Sequence, residues 1–264
     1  MRKLGSDFFA LKTPRAIAHR GASGEFPENT LESFRAAALL HVPYIECDLH
    51  MTRDGILVMN HDADLLRTCG RAGRIDQLDY SEILQANAGY GFSRDGGFPF
   101  RESPIHIPTL EDVLAALPEM RFIIEIKQTE PSLDRPMLDV IEHAGMARRV
   151  LIASEHQKPL DELRALWPEI PTSFSANEVA NFFAALASGM NGYVPPADAL
   201  QVPPTFQSMR LVSKESIAAA HNAGLEMHVW TVNQEAEMRE LLALGVDGIL
   251  SDVPDRLLMV IEAM

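Results

Sequence analysis

Cysteine is almost missing from this chain: Cys47 and Cys69 are the two in 264 residues. That excludes a disulfide-stapled framework and a cysteine-rich zinc module. Positive charge is also short, with 23 Lys+Arg against 37 Asp+Glu and a formal net charge of -14. Such a balance argues against a protein that coats nucleic acid or an anionic membrane, while a local cluster of cations can still hold a small anion. Long apolar runs are lacking too. The longest uncharged stretch, 179–197, is interrupted by Asn181, Ser188, Gly189, Asn191, Gly192 and two prolines, which reads as a helix end and a loop rather than a membrane span. The start of the chain has basic residues but no apolar segment, because Ser6, Asp7 and Lys12 break it, so no signal peptide is expected. A soluble, cytoplasmic protein with no nucleic-acid partner and no stable membrane insertion is the expectation. No phosphate-binding G-x-x-x-x-G-K loop, G-x-G-x-x-G or G-x-S-x-G occurs, so nucleotide, dinucleotide and serine-hydrolase readings lack their signatures.

What is present is ordinary globular composition, 47% hydrophobic and 23% charged, long enough to bury a core without staples. Short apolar runs at 16–18, 44–49, 122–126, 150–153, 172–175, 199–202, 225–232 and 248–250 alternate with segments whose apolar residues recur at i, i+3, i+4. Leu241, Leu242 and Leu244 before Gly245 predict a helix closed by a glycine, and 254–264 a final helix. Eight strand candidates separated by helices predict an α/β fold, a TIM (β/α)8 barrel, with an open doubly wound sheet as the alternative. One stretch breaks the rhythm. Residues 51–61 read as a hairpin around Asp54-Gly55, and the glycine- and proline-rich 52–106 as a small inserted subdomain after the second strand, within one domain spanning 1–264.

The strand ends carry the chemistry. The first run closes in His19-Arg20-Gly21, the second in Glu46-Cys47-Asp48, the hairpin returns as His61-Asp62, and the third ends in Glu125-Ile126-Lys127. Side chains alternate along a strand, so Glu46 and Asp48 share one face, as do Glu125 and Lys127, and Cys47 points into the barrel wall. Strands of a parallel barrel are normally continuous hydrophobe, and each uncompensated ion there costs several kcal/mol by order of magnitude. Something cationic must compensate. Three carboxylates offer hard oxygen ligands that suit one divalent cation, Mg²⁺ or Ca²⁺, better than zinc; the bland alternative is a structural ion network with Arg20 and Lys127. His19 and His61 flank the cluster as candidate general acid and base, while the other seven histidines are read as solvated surface on helices or loops. Arg20 offers a fork of donors and Lys127 a point charge, which together suit a phosphate. The inventory fits phosphoryl-ester cleavage.

These residues lie in the segments IAHRGASGEFPENTLESFRAA, IECDLHMTRDGILVMNHD, IPTLEDVL, FIIEIK, HVWTVN and GVDGILSDVPD, which run in order from about Ile17 to Asp255. In that order they resemble the glycerophosphodiester phosphodiesterase family. The resemblance implies a TIM barrel with a small insertion after its second strand and a divalent metal held by Glu46, Asp48 and Glu125. It implies His19 and His61 as the catalytic pair and Arg20 and Lys127 as phosphate and substrate contacts. Trp230 matches a substrate-facing aromatic, against the alternative of an ordinary barrel-wall tryptophan. Glu28 and Asn29 would orient Arg20 or the metal, although Asn29 or Thr30 could equally cap the first helix. The implied reaction is hydrolysis of glycerophosphodiesters, such as glycerophosphocholine or glycerophosphoethanolamine, to sn-glycerol 3-phosphate and an alcohol, a step of lipid and glycerol metabolism. Attack comes either from the neighbouring glycerol hydroxyl through a cyclic phosphate or directly from water. The alternatives are a lysophospholipase D or sphingomyelinase D-like lipid phosphodiesterase, or a non-catalytic barrel that binds phosphate esters. The inserted stretch is the region expected to set the leaving-alcohol preference.

Overall fold

β-branched and aliphatic runs that alternate with amphipathic segments should stack as staves lined on the outside by helices. The computed structural model, which describes residues 6–264, has that arrangement. In chain order the elements are β1 (Arg15–His19), α1 (Leu31–Leu39), β2 (Tyr44–Met51), β3 (Leu57–Met59), α2 (Leu66–Cys69), a 3₁₀ turn (Ile75–Gln77), α3 (Tyr80–Ile83) and α4 (Leu110–Ala116). They continue with β4 (Arg121–Ile126), α5 (Asp134–His143), β5 (Val150–Ala153), α6 (Gln157–Leu166), α7 (Ala176–Ala187), β6 (Ala199–Val202), β7 (Thr205–Phe206) and β8 (Met209–Arg210). The chain ends with α8 (Lys214–Asn222), β9 (Glu226–Val229), α9 (Glu235–Leu244), β10 (Gly248–Ser251) and α10 (Pro254–Glu262). The parallel strands run in the order β5-β4-β2-β1-β10-β9-β6. Thr172 bridges Ile152 of β5, and Ser173 bridges Ala199 of β6, both in parallel sense, so this short piece stands between the two ends of the sheet. It is the eighth stave of a TIM-type α/β barrel. It is shortened at both ends: Pro171 precedes it, and Ser175 already caps α7 by accepting from the Glu178 amide.

Alternation sorts the staves into two faces. Ala16, Ala18, Ile45, Cys47, Ile124 and Ile126 point outward into the large core under the helices, whereas Ile17, Tyr44, Ile123, Leu151 and Leu250 fill the barrel interior with Phe8. Cys47 therefore lies in the wall, as its spacing predicts. The inward face of β2 then reads Tyr44, Glu46, Asp48, His50: one aromatic at the floor, then three polar side chains rising toward the strands' C-terminal ends.

Between β2 and α4 the chain turns back as β3, antiparallel to β2 with Leu49 opposite Met59 and Met51 opposite Leu57, as the Asp-Gly turn predicts. The segment beyond it gathers Val58, Leu65, Cys69, Ile75, Ile83, Ala86, Ala88, Ile105 and Ile107 into an apolar cluster separate from the barrel cores. Gly245 closes α9 with a φ of 99°. Among the described residues no helix is long and apolar enough to cross a membrane.

Candidate active site

The turn after β1 builds one side of the site. Gly21 has a φ of 85°, and a Cβ there would sit 2.5 Å from Ser33 Oγ, so no other residue fits without displacing α1. Arg20 and Asn29 also take left-handed backbone (φ 59° and 56°), which is uncommon for such residues and is held here by the surrounding bonds. The Arg20 amide donates to Glu46 Oε2 at 3.0 Å, the Asn29 amide to the Arg20 carbonyl at 3.1 Å, and Ser33 Oγ to the same carbonyl at 3.0 Å. Thr30, not Asn29, caps α1. That leaves Asn29 free of capping, and it grips Asp48 instead: its Nδ2 donates to Asp48 Oδ2 at 2.8 Å, and its Oδ1 accepts from the Asp48 amide at 3.1 Å.

Three inward carboxylates meet at the barrel mouth. Glu46, Asp48 and Glu125 each offer an oxygen within 4.8 Å of the others'. The β2/β4 register sets Asp48 opposite Glu125, which is why residues 77 positions apart along the chain converge. Lys127 Nζ lies 2.9 Å from Glu125 Oε1 and 3.4 Å from Asp48 Oδ1, and Arg20 Nε 3.2 Å from Asp48 Oδ2. Arg20 Nη1 also donates to Glu28 Oε1 at 2.9 Å. The electrostatics are uneven. Burial opposes ionisation of Asp48, but Arg20 and Lys127 outweigh it and hold its pKa below the usual range. Burial and the neighbouring Asp48 push Glu46 well up, and burial raises Glu125 despite Lys127. Three acids against two cations leave negative charge uncompensated.

Each candidate histidine is backed by an aspartate. His19 Nδ1 donates to Asp252 Oδ1 at 2.7 Å, with Nε2 3.9 Å from Glu46 Oε2. Asp252 is itself held by Ser23 Oγ (3.0 Å) and Asn233 Nδ2 (2.7 Å). Burial disfavours the imidazolium of His19, yet Asp252 and Glu46 outweigh it and raise its pKa. His61, just beyond β3, donates from Nδ1 to Asp62 Oδ1 at 2.8 Å. In both rings the carboxylate fixes the proton on Nδ1 and leaves Nε2 for chemistry.

Trp230, immediately after β9, is 42% exposed, which does not suit a wall residue. A cavity of about 160 Å³ adjoins Lys127 and is lined from the barrel by His50, Gln128 and Glu130, and from the preceding segment by Ala63, Arg74 and Asp76. Two histidines correct the surface reading. His50 is buried on the inward face of β2 with Nε2 donating to the His61 carbonyl at 3.3 Å, and His228 is fully buried in β9 with Nε2 3.1 Å from Glu226. Each sits two residues after a buried acid on the same strand face, a spacing that marks them in the sequence. Asp252 also escapes sequence reasoning, although its place directly after the last barrel strand is where such enzymes carry functional groups.

Comparisons with known proteins point to one family. The glycerophosphoryl diester phosphodiesterase family profile matches residues 19–256. A protein of Mycobacterium tuberculosis described as probable glycerophosphodiester phosphodiesterase 2 is 34% identical over 92% of this chain and 88% of its own. A glycerophosphodiester phosphodiesterase of Bacillus altitudinis is 30% identical over 95% of this chain and 99% of its own. Among solved structures, an Oleispira antarctica phosphodiesterase in complex with the product sn-glycerol-3-phosphate superposes with a TM-score of 0.79 at 26% identity, covering 94% of this chain and 97% of that one. A profile match spanning nearly the whole chain, with curated relatives at this identity, makes this chain a member of the glycerophosphoryl diester phosphodiesterase family of phosphoric diester hydrolases.

Proposed function

We propose that this chain hydrolyses small glycerophosphodiesters to sn-glycerol 3-phosphate and an alcohol, using one divalent cation, Mg²⁺ or Ca²⁺, and two histidines. The observation that carries the reading is the trio of carboxylates, two buried and Glu125 half-buried, mutually within 4.8 Å and short of positive charge, beside two aspartate-backed imidazoles. The donor set fits a hard cation: all oxygen, with neither cysteine nor histidine among the three. Glu46, Asp48 and Glu125 would hold it, and when bound it supplies Lewis-acid polarisation of the phosphate oxygens.

The chain's own residues do the rest. Arg20 and Lys127 lie against the acids and present cationic donors that orient the phosphodiester and balance charge as it builds on the phosphate. One imidazole takes the proton from the attacking oxygen, which is the substrate's neighbouring glycerol hydroxyl or a water, and the other returns a proton to the leaving alkoxide; on the hydroxyl route a water then opens the cyclic phosphate to sn-glycerol 3-phosphate. Glu28 and Asn29 hold Arg20 and Asp48 in place. Residues 52–106 form a small insertion within the single domain. With Ala63, Arg74 and Asp76 in the cavity wall, this segment helps to select the leaving alcohol. Trp230 gives the glycerol carbons an apolar surface at the rim. Two of the segment's three lining side chains, Arg74 and Asp76, are charged, which favours a water-soluble head group over a lipid tail.

The test is an assay of chelator-stripped protein with glycerophosphoethanolamine, glycerophosphocholine, lysophosphatidylcholine and sphingomyelin, with and without Mg²⁺ or Ca²⁺. Metal-restored release of sn-glycerol 3-phosphate from the first two is expected. Cleavage of the lipids alone would point to a lipid phosphodiesterase, and binding without turnover of any of the four to a silent barrel.

A further inference from the structure

Arg20 and His61 reach the site from different supports: Arg20 from the end of a barrel strand, His61 from the loop after the β3 hairpin. Arg67, in the short α2, ties the two together. Its Nη1 and Nη2 donate to Glu28 Oε2 and Oε1 at 2.7 and 2.8 Å, and its Nε donates to Asp62 Oδ2 at 2.6 Å. Each acid also turns toward the chemistry. Asp62 Oδ1 accepts from His61 Nδ1 at 2.8 Å, and Glu28 Oε1 accepts from Arg20 Nη1 at 2.9 Å. Beyond Arg20 lies Asp48, 3.2 Å from its Nε. Charge alternates from Asp62 through Arg67, Glu28 and Arg20 to the buried Asp48.

Fold stability does not account for this wiring. The Arg67 side chain is 49% exposed, and ion pairs open to water to that extent contribute little to folding. Geometry does account for it. A guanidinium donates in fixed, coplanar directions, so one that forks onto Glu28 and reaches Asp62 with its third nitrogen sets the relative placement of two carboxylates. A loop-borne histidine thereby gains the kind of support that His19 receives from Asp252, Ser23 and Asn233.

We propose that Arg67 is a positioning residue of this site, fixing the ring plane and Nδ1–H tautomer of His61 through Asp62 and the guanidinium of Arg20 through Glu28. It touches no reacting atom. The activity arm of its test rests on the phosphodiesterase reading above; the spectroscopic arm does not.

Wild type, Arg67→Met and Arg67→Lys are compared by steady-state hydrolysis of glycerophosphoethanolamine with Mg²⁺. In parallel, the histidine ring nitrogens are read by ¹⁵N NMR in metal-free protein, with thermal melts to confirm the fold. The Met variant is expected to lose about 10²-fold in kcat, the scale of a small misplacement of catalytic groups. Millimolar guanidinium should restore part of it, and His61 should pass from one tautomer to a mixture. The Lys variant, a point charge without the fork, should fall between and gain nothing from guanidinium; it carries the test if the Met variant melts. Unchanged kcat, or lost kcat with an unchanged His61 spectrum and no rescue, would overturn the proposal. If wild type cleaves no glycerophosphodiester, the phosphodiesterase reading fails by itself, and the His61 spectrum of the variants alone decides the role of Arg67.

Discussion

The barrel carries an ionic cluster at each end, and the two are built to opposite rules. At the N-terminal floor Arg15, Tyr44, Glu226 and His228 are all fully or almost fully buried. Arg15 spends every donor: Nε and Nη2 on the two oxygens of Glu226 at 2.8 Å each, Nη1 on the Tyr44 hydroxyl and the Leu11 carbonyl, and Nη2 again on the Phe9 carbonyl. Burial alone would raise the Glu226 carboxyl, yet Arg15 and His228 outweigh it and hold it at about 2. At the C-terminal mouth Glu46, Asp48 and Glu125 share Lys127 and an Arg20 that also serves Glu28, and burial lifts two of the three acids upward. The floor is a closed circuit; the mouth is one positive charge or more short. The lesson is that buried charge by itself does not mark a site, whereas buried charge left electrostatically incomplete does.

Substitutions should separate the two ends. The largest effect on turnover is expected at the mouth, where Asp48→Asn or exhaustive chelation should abolish diester hydrolysis, with Mg²⁺ or Ca²⁺ restoring only the chelated wild type. Next, His19→Ala and His61→Ala should each lower kcat by about 10²–10⁴-fold, the usual worth of a general acid or base, with melting temperatures near wild type. Near-normal rates in both would remove the acid/base pair. Asp252→Asn comes after them: it still fills the space but no longer favours the His19 imidazolium, so the His19 pKa measured by NMR should fall from its raised value. The smallest effect on turnover belongs to the floor. Glu226→Gln should cost about 3–5 kcal/mol of stability, because it strands a buried guanidinium, while the protein that remains folded cleaves substrate normally. The pH dependence has a definite sign. A carboxyl whose pKa falls from 4.5 to about 2 on folding contributes stability in full above pH 4.5 and loses it as pH drops toward 2. Urea melts between those limits should therefore show a steeper acid loss in wild type than in Glu226→Gln.

Much of the fold is legible in the sequence because period and length agree. Seven of the runs become regular strands, and Gly245 and Pro254 bound helices where their backbone preferences place them. The 172–175 run shrinks to two bridged residues, since Pro171 accepts from the Ile152 amide but has no amide of its own to donate, and Ser175 already caps α7. Of the site, the inward alternation of Glu46 with Asp48 and of Glu125 with Lys127 is readable, because alternation is local. Asp252 and Arg67 are not, because their partners His19 and Glu28 lie 233 and 39 residues away. His50 and His228 look solvent-facing by residue type, although their spacing of two from Asp48 and Glu226 already places them on the inward faces of β2 and β9.

The central claim is that Glu46, Asp48 and Glu125 form a site for one divalent cation, and calorimetric titration of Mg²⁺ into chelator-stripped protein tests it most directly. The account predicts one ion bound per wild-type chain and at least about 10-fold weaker binding to a folded Asp48→Asn variant, since ligand charge sets affinity for such cations. A wild-type chain that takes up no ion, or an Asp48→Asn chain that binds it equally well, would contradict it.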